Sequence, residues 1–347
     1  MRVFVTGATG VLGARLVERL SRRGHAVVGL VRDEAGKRSV EARGGTPVEA
    51  DLFDAGALVE AAPDADVVVH TATSMPEETA LRIEDWREND RVRVEGTRAA
   101  LEAASRVRAD QFLTHSVVRA FRTDDGSAFD ETASPNVDRT TASAVEAEEL
   151  VDHLGREYGL GTAVLRFGWL YGPGSGQLRR VAKRLLAGRL WVIGNGLLGR
   201  RGETVLSLVH AEDAARAVVR TIETGATGRW HVVDDEPAPT DAFFGELARL
   251  LEVSEPGRIP AWLAKLFVGD DVVRFFTESV RTSNDRFADE VGWEPVHPTF
   301  RDGLESTVET WLAEGRLDGS GDGYAWDDDV EETVTTSRRR ARRAGGR

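Results

Sequence analysis

The chain has 347 residues, a net charge of −13 and no cysteine. That length suits one large α/β unit or about two domains. The missing cysteine excludes disulfides, thiolate metal sites and a cysteine nucleophile. Acids outnumber bases by 58 to 45, which argues against nucleic acid as a partner. No apolar run approaches the roughly 18 residues a membrane span needs. Met1–Phe4 leads straight into a strand pattern without a signal peptide, so a cytoplasmic location is expected.

Taken in order, β-branched runs at Val3–Thr6, Ala26–Val31, Asp66–Thr71, Gln111–Ser116 and Thr162–Phe167 alternate with helical patterns at Val11–Arg23, Trp86–Arg106 and Ser143–Tyr158. Continuous apolar strands separated by helices predict an α/β fold with a doubly wound parallel sheet. Beyond Tyr171 the turn cluster YGPGSG and the strand-like GRLWVIGNG follow. Strand patterns at Val205–His210 and Arg229–Val233 then flank a helix at Ala211–Glu223, and helices are expected at Thr240–Leu251, Ala261–Phe276 and Phe300–Glu314. The expected organisation is a sheet domain over 1–170, with 205–234 returning to the sheet region. A smaller mixed lobe would span 171–204 and 235–315, with Trp262, Phe267, Phe275 and Phe276 in its core. The segment 316–347, with an acidic run at Asp327–Glu332 and RRRARR at Arg338–Arg343, reads as a disordered charged tail.

TGATGVLG, Thr6–Gly13, follows the first strand and opens a helix. In that context Gly7 permits a tight turn, Gly10 lets backbone N–H groups approach a pyrophosphate, and Gly13 allows helix and strand to pack closely. The helix N-terminus favours the phosphate charge. The Gly-x-x-Gly-x-x-Gly spacing resembles the extended short-chain dehydrogenase/reductase family, the NAD-dependent epimerase/dehydratase-like branch. Five further segments match it in order: VVVHTAT at Val67–Thr73, EGTRAALEAA at Glu95–Ala104, LRFGWLYGPG at Leu165–Gly174, LVHAEDAARAVV at Leu208–Val219 and VGWEPVHPTFRDGL at Val291–Leu304.

The resemblance implies a Rossmann domain that binds NAD(P), with cofactor contacts at Thr6, Gly7, Thr9, Gly10, Val11, Leu12 and Gly13. It adds Asp51 and Leu52 at the adenine, and His70, Thr71 and Ala72 beside the ribose. NAD users of this branch usually end the second strand in an acid. Here Val31 fills that slot and Arg32 follows, which favours the 2′-phosphate of NADP. Lys37 and Arg38 would add to the positive field, whereas a shift of one residue would put Asp33 on the ribose of NAD.

The same resemblance calls for a catalytic Tyr and a Lys four residues later on one helix face. The run AEEL at Ala147–Leu150 sets the register and puts Thr140 and Ala144 there. No tyrosine in the chain has a lysine four residues on. Ser116 matches the family's carbonyl-orienting serine, and Arg93 stands where a helix asparagine often completes the proton relay. Ser116, Thr140 and Tyr171 are therefore the candidate catalytic residues, and Arg93 and Arg119 the candidate anion binders. His115 and His210 read as packed side chains, and the seven histidines show no metal-ligand spacing. The implied function is an atypical oxidoreductase acting on a carbonyl or nucleotide-sugar-like substrate. The alternative is a non-catalytic NADP(H)-binding sensor or assembly partner. A homodimer through the helix near Thr140 is possible on the same resemblance.

Overall fold

The computed structural model describes residues 1–75, 86–194, 204–268, 270–319 and 323–327. The sheet half runs β1 (Arg2–Thr6), α1 (Val11–Arg22), β2 (Ala26–Val31), α2 (Glu34–Glu41), β3 (Thr46–Glu49), α3 (Ala55–Ala61), β4 (Val67–His70), α4 (Arg87–Arg91), a π-helical turn (Val92–Gly96), α5 (Thr97–Val107), β5 (Gln111–Val117), α6 (Ala142–Tyr158) and β6 (Gly161–Phe167). Then come β7 (Trp169–Tyr171), α7 (Gly176–Leu186), β8 (Trp191–Gly194), β9 (Val205–Leu206), β10 (Leu208–His210), α8 (Ala211–Thr224), β11 (Gly228–Val232), β12 (Ala238–Pro239), α9 (Thr240–Leu250), β13 (Gly257–Pro260), α10 (Ala261–Val268), α11 (Asp270–Thr277), α12 (Asp285–Val291), α13 (Phe300–Ala313), β14 (Leu317–Gly319) and β15 (Tyr324–Trp326).

Seven parallel strands lie in the order β11-β6-β5-β4-β1-β2-β3. Alternate side chains go to opposite faces, as strand geometry requires. Val3, Val5, Val67 and Leu113 pack under α1 and α8, while Phe4, Val68, Phe112 and Val164 pack under α3, α5 and α6. On α1 the spacing of Leu12, Leu16, Val17 and Leu20 makes the buried stripe of a helix with one apolar face. The chain order reverses between β1 and β4, so a crevice opens beyond their carboxyl ends. A third core, with Tyr171, Leu178, Phe243, Leu247, Phe300, Leu304 and Trp311, forms the smaller lobe.

Several expectations change. The strand at Val205–His210 is broken at Ser207, because β9 pairs with β12 and β10 with β7. The helix at Ala261–Phe276 is two helices, α10 and α11. Trp262 is exposed rather than core, whereas Phe276 packs against the lobe; the side chains of Phe267 and Phe275 lie outside the described residues. The ordered chain also runs past 316. Leu317 is buried, β14 pairs with β15, and the Trp326 ring meets Trp311 edge-on at 5.2 Å. The rest of the supposed tail, 328–347, lies outside the described residues.

Candidate active site

The glycine turn is closed against the end of β4. Gly7 has φ of +71°, and a Cβ there would stand 2.6 Å from Ala72 Cα. A Cβ on Gly13 would lie 2.1 Å from the Gly7 carbonyl oxygen. Only hydrogen fits at either position. Gly10 is the N-cap of α1, and no side chain caps that helix, so its first N–H groups face the crevice. Thr71 Oγ1 donates to the Thr6 carbonyl at 2.7 Å, and Thr6 Oγ1 meets His70 Nδ1 at 2.7 Å. Strand ends and turn are thus locked together around a cradle that side chains cannot fill. That is the form a dinucleotide's phosphates require.

At the end of β2, Asp33 is spent on the chain itself. It caps α2, accepting from Gly36 N at 2.7 Å. Lys37 is also engaged, with Glu34 at 2.7 Å and Glu49 at 3.0 Å. Arg32 is exposed and makes no hydrogen bond or ion pair with a described residue. Asp51 is exposed and accepts from Phe53 N at 3.0 Å, while Leu52 lies against Gly96 of the π turn.

The π turn wraps His70, whose Nε2 lies 3.3 Å from the Val92 carbonyl. Burial, with His115 nearby, pushes the His70 pKa down to about 3. His115 Nδ1 lies 3.3 Å from the His70 carbonyl, and burial with the charge of Arg93 lowers its pKa to about 4. Both imidazoles are neutral near pH 7. Arg93, carried on the π turn, reaches across to the start of α6. Its Nη1 donates to the Thr140 carbonyl at 2.9 Å and to Ser143 Oγ at 3.3 Å. Burial lowers its pKa. Ser116, at the carboxyl end of β5, is buried, and its hydroxyl has no hydrogen-bond partner among the described residues. The same holds for Asn89 Nδ2 on α4, whose Oδ1 accepts from Ser74 N at 3.1 Å.

Three sequence candidates are engaged by other groups of the chain. Thr140 Oγ1 donates to Asp138 Oδ1 at 2.6 Å, so its proton points into a carboxylate. Tyr171 is fully buried in the lobe core and donates to Asp234 Oδ2 at 3.0 Å, and burial beside that acid raises its pKa well above the phenol value. It is a packing residue. Arg119 is held in an ion-pair cluster with Arg122, Asp138 and Glu278. One grouping escaped the sequence because His297 is 84 residues from Asp213: His210, Asp213 and His297 put ligand atoms within 4.8 Å of one another. Asp213 already accepts from Val296 N, His297 N and His297 Nδ1 at 2.6, 3.0 and 2.7 Å. The cluster pins the 296–297 segment to α8, with its carboxylate satisfied.

A doubly wound sheet with a phosphate cradle at its switch point defines a nucleotide-binding α/β protein. Residues 3–233 match the NAD dependent epimerase/dehydratase family, and the chain belongs to it. A 3-diazoavenalumate denitrifying reductase from a Streptomyces species is 38% identical over 317 residues, covering 88% of this chain and 99% of that one. The Thermus thermophilus UDP-glucose 4-epimerase complex with NAD is similar at a TM-score of 0.74 and 25% identity, covering 90% and 99% of the two chains. A human epimerase family protein with NADPH is similar at a TM-score of 0.73 and 18% identity, covering 89% and 99%.

Proposed function

We propose that this chain is an NADPH-dependent reductase that removes a diazo group from a small organic acid. The single observation that carries this is the crevice itself, which has a buried serine hydroxyl to orient an acceptor and, among the described residues, neither the family's Tyr nor its Lys to deliver a proton. The cofactor choice rests on Arg32, which is exposed and unpaired among the described residues while Asp33 is consumed as a cap. Thr6, Gly7, Thr9, Gly10, Val11, Leu12 and Gly13 would hold the pyrophosphate, with Asp51, Leu52, His70, Thr71 and Ala72 around the adenosine. When bound, the reduced nicotinamide supplies hydride.

Reducing a carbonyl leaves an alkoxide that needs a proton, and losing the tuned acid costs about 10²–10⁴ in rate. An arenediazonium is different. It is a cation that takes hydride and its electron pair at nitrogen to give a neutral diazene. The diazene then loses dinitrogen, giving up its N–H proton while the ring carbon takes one up. The net change is diazonium plus hydride to arene plus dinitrogen, with no proton consumed. The relative's denitrifying activity supports this acceptor over a carbonyl or nucleotide sugar. A second reading, a cofactor-binding sensor without turnover, is favoured only by the replacement of the Tyr and Lys by Thr140 and Ala144.

The test begins with fluorescence titrations using NADPH and NADH, followed by NADPH oxidation with 4-carboxybenzenediazonium against a protein-free control. Tight NADPH binding is expected, with stoichiometric formation of benzoate, a kcat/KM flat across neutral pH and a large loss in Ser116→Ala. Binding without benzoate formation would favour the sensor. Turnover of ketones but not of the diazonium would return the acceptor to the carbonyl class.

A further inference from the structure

We propose that Arg93 is the counter-ion for an anionic oxygen, carboxylate or phenolate, on the hydride acceptor; this deepens the reductase reading above and rests on it. Arg93 is 8% exposed, and the hydrogen bonds of its guanidinium go to neutral oxygens, the Thr140 carbonyl and Ser143 Oγ. No carboxylate of a described residue lies within 4.0 Å of it. The two acids whose fields it feels are engaged elsewhere: Asp90 with Arg139 at 2.7 Å, and Asp138 with Arg119 and Arg122 at 3.5 and 3.2 Å. Its other neighbour, His115, is neutral. A buried cation normally has a paired anion, because desolvation otherwise costs more than the fold regains. Other buried guanidinium groups have such an anion: Arg166 is bidentate on Glu148, and Arg122 is paired with Asp138 and Glu278.

The position of Arg93 indicates what would complete the pair. Five residues in a π turn, where an α-helix would continue from α4 into α5, carry it over the first turn of α6. Single π turns inside helices recur at functional sites. The guanidinium therefore lies against the start of α6, the segment to which the sequence register assigns the family's catalytic Tyr and Lys. The phosphate cradle lies at the carboxyl end of β1 and the start of α1, whereas the hydrogen bonds of Arg93 run to the start of α6. Two further unpartnered buried groups, Ser116 Oγ and Asn89 Nδ2, belong to the elements framing the same crevice. A planar guanidinium already anchored through one nitrogen suits a carboxylate or phenolate well.

The test uses a matched pair of acceptors, 4-carboxybenzenediazonium and its methyl ester, with a dead-end probe that needs no turnover. The probe is 4-hydroxybenzoate, with 4-hydroxybenzamide as the neutral control, titrated by calorimetry into the protein–NADP⁺ complex. Arg93→Gln should raise KM for the carboxylate acceptor, and Kd for 4-hydroxybenzoate, about 10–100-fold, as expected for a lost charge-assisted hydrogen bond. The ester, the benzamide and NADPH affinity should shift little, and Arg93→Lys should recover part of the loss. Circular dichroism melts establish that each variant is folded. Should Arg93→Gln not fold, Arg93→Lys and the wild-type preference for benzoate over benzamide decide the question. Equal loss for anion and ester, no wild-type preference for the anion, or a change in NADPH Kd instead would each overturn the assignment. Failure of wild type to bind NADPH would overturn the reductase reading beneath it.

Discussion

Gly7, Gly10 and Gly13 are one motif in the sequence and three different constraints in the fold. At Gly7 a side chain meets both a positive φ and the Ala72 backbone, and at Gly13 it meets the Gly7 carbonyl. Gly7→Ala and Gly13→Ala should each cost about 3 kcal/mol or more in urea unfolding. Gly10 has φ of −74°, and its nearest obstacle is 3.3 Å away. Gly10→Ala should stay within about 1 kcal/mol of wild type and still weaken NADPH, separating the cradle's ligand role from its structural one. For Arg32→Ser, the fluorescence titration should show NADPH weakened by roughly tenfold or more, and NADH little changed. The absence of a Tyr-x-x-x-Lys pair was legible, because it needs only a residue count. Arg93's reach to Thr140 was not, since nothing in VRVEG announces a π turn.

Buried joints between elements are where single substitutions will cost most. Arg166 on β6 is bidentate on Glu148 of α6, through Nε to Oε1 and Nη2 to Oε2, and its guanidinium lies 3.4 Å from the Phe121 ring centroid. Arg166→Met leaves buried Glu148 with only the looser ion pair to Arg229 at 3.5 Å and should cost about 3 kcal/mol, while Arg166→Met with Glu148→Leu should recover much of the loss. A double-mutant cycle in urea checks both. Strand and helix order in the sheet half was readable, because buried parallel strands are apolar throughout and each helix carries one apolar stripe. The lobe was read less well. VLSLVH looks like one strand because apolar residues flank Ser207, yet the Ser207 hydroxyl bonds to the Val280 and Thr282 carbonyls at 3.1 and 3.3 Å, and the strand divides there. Tyr171 reads as a candidate because the motif brings it near the crevice in sequence. Only tertiary packing turns its phenol toward Asp234.

At the scale of the whole molecule, stability should peak between two opposing titrations. His70, His210 and His231 are pushed by burial down to about 3, and His115 to about 4. The unfolded chain takes up protons below about 6.5 and the folded one does not, so this contribution is lost as pH falls from 6.5 toward 3. Asp234 runs the other way. Burial pushes its carboxyl up to about 8, so its contribution is complete below 3.8 and is lost as pH rises toward 8. Urea midpoints across pH should therefore fall on both sides, and Asp234→Asn should flatten the alkaline side alone. The same long-range construction bears on how the gene can be cut. The outer strand β11 pairs with β6 from Ala163 to Phe167 although the entire α7–α8 region intervenes, and Gln111 Nε2 donates to the Ala226 carbonyl beside it. A truncated chain ending near 170 would leave β6 as a bare, flat, apolar edge, the kind that recruits other chains. Expressed alone, the nucleotide-binding half should aggregate, whereas adding the distant β11 segment through a short linker should restore a soluble monomer.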